Sequence, residues 1–451
     1  MVALCACNGS LTSSPSSTQA FVPQSSLGFT ALARSGISSK IKHVVIIVQE
    51  NRSFNNLFYG FPGAKTVTYG YTTSGKKIKL LPISLDTNWD LDHTAQGFFA
   101  ACNGTGSIPG TNCAMNGFNK EYTVDCGGSS EPPCPIKHPQ YAYVPHSETK
   151  PYFAMAQQYV LADQMYASNL DGSSFVAHQY LIAAQAAASV NYPAEAWGCE
   201  GGSDDKVPII GPDRQVPYGS EVPCFGVTTL GQEADKAGVS WAYYAGAVGS
   251  YGTGGIWSAY QANEHVYDGP DWKSDIISPQ TRFFNDVKKG RLREISWVTP
   301  TCANSDHAGC NSKTGPAWVA SLVNAIGLSS YWDSTAIFIT WDDYGGWYDP
   351  EPPAYADYDG LGIRIPMLIV SPYARKGHVS HVPYELGSIL RFTEDVFGLP
   401  RLSASDTRAA SPEKDCFDFN KPPRRFHAIA SSLNQEYFLT QPLDLRPPDN
   451  D

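Results

Sequence analysis

The chain has 451 residues, enough for one large domain or two of medium size, and its 42% hydrophobic content can supply a sizeable core. A formal net charge of −11 with no basic stripe argues against a nucleic-acid binder, which needs clustered lysine and arginine. Only 17% of the residues are charged, low for a cytosolic protein and ordinary for an exported one.

Residues 1–39 begin MVALCACNGS, turn Ser/Thr/Pro-rich, and are expected to form a flexible leader. Leu4-Cys5-Ala6-Cys7 is similar to the end of a bacterial lipoprotein signal, where the cysteine is acylated. The basic and long apolar parts of such a signal are missing, so a remnant of an export signal and a chance match both stay open. No other segment is long and apolar enough to span a membrane. The remaining cysteines fall into neighbouring pairs in loop-like sequence: Cys102 with Cys113, Cys126 with Cys134, Cys199 with Cys224, and Cys302 with Cys310. Local disulfides and an oxidising compartment are the natural reading, with free or metal-binding thiols as the alternative and Cys416 left over as a buried thiol.

The first core element is an apolar, β-branched run over Ile41–Gln49, which reads as a buried strand. It stops at Glu50-Asn51-Arg52-Ser53, where an α/β enzyme places its active site. Residues 60–150 are rich in Gly, Pro, Asn and Cys and read as a long surface excursion. Helical patterning returns at Tyr152–Leu161 and at Ser174–Ala187, and 190–225 is another Gly/Pro/Cys-rich loop. Helices near Thr229–Lys236, Ala317–Ile326 and Ser388–Phe397 then alternate with strands near Val239–Tyr244, Glu294–Thr299, Thr335–Trp341 and Ile365–Val370. That alternation predicts an α/β fold with a mainly parallel central sheet and helices on both faces, crossed by long disulfide-pinned loops. The expected organisation is one catalytic domain over 40–420 and a Pro-rich tail over 421–451 that wraps the surface.

Three groups of residues carry chemistry. Glu50 and Asn51 end one apolar strand, and Asp342 and Asp343 end another, TAIFITW. Four such oxygen-bearing side chains suit one divalent cation, Ca, Mg, Mn or Zn, although Asn and Asp after a strand also serve as ordinary caps and turns. In Asp171-Gly172-Ser173-Ser174, a glycine and serines open a helix, which suits a phosphate site or a nucleophile as well as a plain N-cap. His93 in WDLDHTAQ and His307 in CANSDHAGC are placed to donate hydrogen bonds or protons to phosphoryl charge, if they are not merely structural.

Together, ENRSFNN, the Gly-Ser-Ser-x-x-x-His helix start, the SDH triplet and ITWDDYGGWYDPEPP resemble the phosphoesterase family of bacterial and plant phospholipases C and related acid phosphatases. LGIRIPMLIVSPYARKGHVSH and SILRFTEDVFGLPRLSASD extend the resemblance, which covers about Ile41 to Phe419. It implies an alkaline-phosphatase-like α/β fold and metal binding by Glu50, Asn51, Asp342 and Asp343. Ser174, four residues before His178, matches the family nucleophile, which is Thr in many phospholipases C and Ser in the acid phosphatases. His93 and His307 match histidines that contact the phosphoryl group; His265, in QANEHVYDG, is a third candidate, and Asn51 serves the phosphate as well as the metal. Asp306, directly before His307, is counted with Ser174, His93 and His307 in the catalytic set. The implied mechanism is attack by Ser174 on phosphorus, then hydrolysis of the phosphoserine by water.

Two positions depart from the family pattern. Asp349 is followed by Pro350 where the family usually has His, and Tyr384 is followed by Glu385-Leu386 where many members have a His two residues on. Both put leaving-group identity in doubt more than the core chemistry. The resemblance also implies a catalytic core without the C-terminal β-domains of long phospholipases C. The leading expectation is an exported phospholipase C-type enzyme, secreted, periplasmic or at the cell surface, acting on phospholipid with peripheral membrane contact through loop aromatics. An acid phosphatase acting on small phosphate monoesters is the alternative. An inactive surface-binding protein is a third reading, opposed by the intact Glu50, Asn51, Ser174, Asp342 and Asp343.

Overall fold

A computed structural model describes residues 36–194, 198–246 and 258–445. Cys5 and Cys7, on which the lipoprotein reading rests, lie outside them, as does most of the expected leader. The apolar runs form the strands of one large sheet. In chain order these are β1 (His43–Gln49), β2 (Val160–Tyr166), β3 (Trp241–Tyr244), β4 (Ile276–Ile277), β5 (Ile295–Val298), β6 (Thr335–Trp341), β7 (Arg364–Val370), β8 (His378–Ser380) and β9 (Tyr384–Glu385). The spatial order is β4-β3-β5-β1-β6-β7-β2-β8, with β9 pairing β2 as well. Only β7 runs antiparallel to its neighbours. The expected α/β architecture with a mainly parallel sheet is therefore present.

Every residue of β2, β6 and β7 is buried, as is β1 beyond His43, so both faces of the sheet are covered. The covering helices pair off: α1 (His146–Gln158) packs on α3 (Gly315–Gly327), and α2 (Ser174–Ala183) on α4 (Leu386–Phe397). Helix α2 ends at Ala183, four residues before the expected end, where Ala184 turns left-handed at φ 57°. The tail remains attached through apolar contacts: Phe426 meets Trp332 at 4.9 Å and Phe438 meets Trp318 at 5.2 Å between ring centroids.

One expectation is corrected outright. The helix expected over Tyr152–Leu161 starts earlier, at His146, and gives way to strand β2 at Val160. The helix accommodates Pro151 near its start, and β2 was obscured by Asp163 and Gln164, two polar residues that are nevertheless buried. All four expected disulfides form, and Cys416 is a buried free thiol. Disulfides of this density belong to proteins that fold in an oxidising compartment. No helix among the described residues is long and apolar enough to cross a membrane.

Candidate active site

The site lies where β1 and β6 end together. These strands are parallel neighbours with Gln49 opposite Trp341, and the Asp342 N–H continues the ladder to the Gln49 carbonyl at 3.1 Å. Glu50-Asn51 and Asp342-Asp343 therefore emerge side by side. The Asn51 N–H donates to Asp342 Oδ1 at 3.1 Å, and the Arg52 N–H to the Asp343 carbonyl at 3.0 Å. Asn51 itself is left-handed, at φ 54°, a conformation Asn tolerates better than most side chains. Gly345, at φ 58°, folds the turn after β6 back onto it; a Cβ there would overlap the Asn51 carbonyl. The Gly345 N–H also anchors Asp343 Oδ1 at 2.6 Å.

Helix α2 brings a serine to the same place. Ser173 is its N-cap residue, so Ser174 opens the first turn, where backbone N–H groups lack partners and favour negative charge. The Ser174 hydroxyl lies 3.4 Å from both Asn51 Oδ1 and Asp343 Oδ2. The preceding loop is pinned: the Gly172 N–H donates to the His93 carbonyl at 2.6 Å, and Asp171 accepts from the Ser173 hydroxyl at 2.5 Å and the Asn191 N–H at 2.6 Å.

One turn beyond Ser174, His178 faces the same acids. Its Nε2 is 3.1 Å from Glu50 Oε1 and 3.6 Å from Asp342 Oδ2. Burial pushes its pKa down to about 4 even though Asp342 pulls it up, so the ring is neutral at physiological pH. A neutral imidazole is a metal ligand. Donor atoms of Glu50, His178 and Asp342 all lie within 4.8 Å of one another, and buried Asp342 Oδ2 accepts no hydrogen bond. This set fits one divalent cation of the kind that accepts oxygen and imidazole ligands. Sequence reasoning had left His178 out of the metal set; its i+4 spacing from Ser174 was the available signal.

Asn51 turns its amide elsewhere. Its Nδ2 lies 2.9 Å from His93 Nε2, while His93 Nδ1 lies 2.6 Å from the Leu91 carbonyl. A carbonyl oxygen only accepts, so Nδ1 carries the proton and Nε2 accepts from Asn51. His307 stands edge-on to His93, with ring centroids 6.2 Å apart; its Nδ1 bonds the Ala308 carbonyl and lies 3.5 Å from Asp90 Oδ2.

The structure thus gathers Glu50, Asn51, Ser174, Asp342 and Asp343, with His93 bonded to Asn51 and His307 beside His93. Two expected members are placed differently. The Asp306 carboxylate is bound by the Tyr152 hydroxyl at 2.7 Å and the Trp341 indole at 3.0 Å instead of turning to Ser174. His265 sits exposed on the short helix Glu264–Tyr267, and no hydrogen bond links it to the cluster. Asp349, whose following residue departs from the family pattern, is locked in a fully buried pair with Arg364.

Asp359 packs against the far side of α2, where Tyr180 hydrogen-bonds its carboxyl. Burial, reinforced by Asp171, raises its pKa from 3.8 to about 8. The unfolded chain loses this proton near pH 3.8 and the folded chain holds it until about pH 8, so folding is penalised increasingly as pH rises through that window and fully above it. Asp359→Asn should therefore melt higher than the parent at pH 8, and the gain should shrink at pH 5; melts at both values check this.

The model of the phosphoesterase family matches residues 41–400. Among curated relatives, a non-hemolytic phospholipase C of Burkholderia pseudomallei is 23% identical over 86% of this chain and 59% of its own length. Phospholipase C B of Mycobacterium tuberculosis is 23% identical, covering 86% of this chain and 80% of its own. Non-specific phospholipase C1 of Arabidopsis thaliana is 24% identical, covering 86% and 73%. The chain spans about three fifths of the length of the Burkholderia relative and of a Pseudomonas aeruginosa one. Among solved structures, a protein in the alkaline phosphatase superfamily from Vibrio parahaemolyticus aligns with 83% of this chain and 71% of its own, at 12% identity and a TM-score of 0.36.

Proposed function

The chain belongs to the phosphoesterase family, and from that membership we propose that it is an exported, metal-dependent phospholipase C-type hydrolase with Ser174 as nucleophile. The observation that carries this reading is the Ser174 hydroxyl, 3.4 Å from both Asn51 Oδ1 and Asp343 Oδ2 at the start of a helix. The named relatives, phospholipases C from bacteria and a plant, support phospholipid as the substrate class.

Glu50, His178 and Asp342, with Asp343 and Asn51 beside them, would hold a divalent cation, which would supply Lewis-acid stabilisation of negative charge at the reacting oxygens. Ser174 loses its proton toward Asp343 Oδ2, and its Oγ bonds phosphorus as the bond to the leaving alcohol breaks. The α2 N-terminus and the Asn51 amide receive the charge that moves onto the phosphoryl oxygens, and His93, whose Nε2 accepts from Asn51, orients that amide. His307 donates the proton that the departing alkoxide needs, and water then cleaves the Ser174 ester to release the phosphorylated head group. Asp306 positions and does not touch substrate.

Serine at position 174, the residue found in the related acid phosphatases, favours a second reading, hydrolysis of phosphomonoesters. Product analysis separates the two. Diacylglycerol released from phosphatidylcholine supports the first; inorganic phosphate released only from an aryl phosphate supports the second. Chelation followed by dialysis should abolish either activity, and the divalent ion that restores it identifies the cofactor. Full activity in metal-free protein would sink the metal-dependent mechanism.

A further inference from the structure

Two residues at the end of β1 have no part in the reaction scheme, and both grip the same loop. Gln49 Nε2 donates to the Asn304 carbonyl at 3.2 Å, and Gln49 Oε1 accepts from the Asp306 N–H at 2.9 Å. Arg52 Nε donates to the Asp306 carbonyl at 2.7 Å, with its guanidinium 4.5 Å above the Trp347 ring. Left-handed Asn51 breaks the strand's alternation, so that Glu50 and Asn51 serve the cluster while Gln49 and Arg52 serve the loop. Tyr152 and Trp341 fix the Asp306 side chain, so this residue is held at its N–H, its carbonyl and its carboxylate. The next residue is His307, and the Cys302–Cys310 disulfide closes the loop around both.

Arg52 is a poor choice for stability alone. It is fully buried, and neither of its terminal nitrogens makes a hydrogen bond among the described residues. Burying a guanidinium with hydrogen-bonding groups left unsatisfied costs free energy that a structural role alone does not call for. We propose that Gln49 and Arg52 are positioning residues that act through the Asp306 backbone to hold His307 at the leaving-group oxygen. The inference rests on the proposed role of His307 as proton donor.

The test compares His307→Ala, Gln49→Ala, Arg52→Met and Arg52→Lys on two esters: a p-nitrophenyl phosphate, whose leaving group needs no proton, and an alkyl phosphate ester, whose leaving group does. His307→Ala should lower kcat on the alkyl ester about 100-fold or more and much less on the aryl ester, the signature of a lost general acid. Gln49→Ala and Arg52→Met should show the same selective loss, on the order of 10-fold or more, with KM little changed. Arg52→Lys, which keeps a donor for the Asp306 carbonyl, should recover part of it. The double variant Gln49→Ala with His307→Ala should be no worse than His307→Ala alone. Melting curves identify any variant that fails to fold; Gln49→Met, which keeps the volume but removes the acceptor for the Asp306 N–H, then stands in for Gln49→Ala. Equal losses on both esters, or none, from folded Gln49 and Arg52 variants overturn the positioning role, provided His307→Ala is selective. An unselective His307→Ala overturns the underlying role of His307 and with it this inference.

Discussion

Ser174→Ala should reduce turnover of any phosphate-ester substrate by at least about a thousandfold while leaving the fold intact, because the nucleophile is lost and the residual rate comes from binding and charge stabilisation alone. The local structure makes this variant interpretable. Ser173, not Ser174, is the N-cap residue, so α2 keeps its start. The two hydrogen bonds removed are long, 3.4 Å each, and contribute little to stability. The melting temperature should therefore stay within a few degrees of the parent's. Acid-quenched parent protein should carry a phosphoryl adduct on the peptide containing Ser174, and the variant none. A Ser174→Ala enzyme with parental kcat would move the nucleophile elsewhere.

The two strand ends that frame this hydroxyl were legible because each is an apolar run broken by acids, and a buried strand cannot tolerate Glu50 or Asp342 unless something compensates them. Ser174 was legible from the same helix start. What failed to show follows from tertiary satisfaction of polar groups. Strand β2 hides Asp163, whose carboxylate accepts from the Lys65 N–H at 2.8 Å and meets His381 at 2.9 Å, so a polar break in the pattern did not mean an end to the strand. His178 looked like part of a motif and not a ligand, because only the packing of α2 against the end of β1 brings it to Glu50. Asp306 drew a chemical role from its neighbour His307, yet its carboxylate is taken up by Tyr152 and Trp341, partners that no sequence spacing reveals. The pairing of Asp349 with Arg364 joins positions whose contact no spacing rule reveals.

Breaking the Asp349–Arg364 pair from one side should be strongly destabilising. Arg364 Nε lies 3.0 Å from Asp349 Oδ1, its second terminal nitrogen 3.1 Å from Oδ2, and its first donates to the Asp163 carbonyl at 2.7 Å. Neither side chain has any exposed surface. The Asp349 carboxylate also accepts from the backbone N–H groups of Asn55 and Glu351, at 3.0 Å each. The guanidinium therefore fastens the loop that begins at Asp342 and Asp343 to the start of β7 and the interior of β2. Arg364→Ala leaves a buried carboxylate without its cation and should cost about 3–5 kcal/mol, read as a lower urea midpoint. Burial already lifts the Asp349 pKa against the pull of Arg364, so loss of the cation raises it further and the variant should recover some stability as the pH falls. Arg364→Met combined with Asp349→Leu removes both charges and should be markedly more stable than Arg364→Ala. Its activity should nevertheless stay low, because the Asn55 and Glu351 N–H groups lose the acceptor that shapes the loop behind the proposed metal-binding acids. If the double variant is no more stable than Arg364→Ala, uncompensated charge is not the source of the loss.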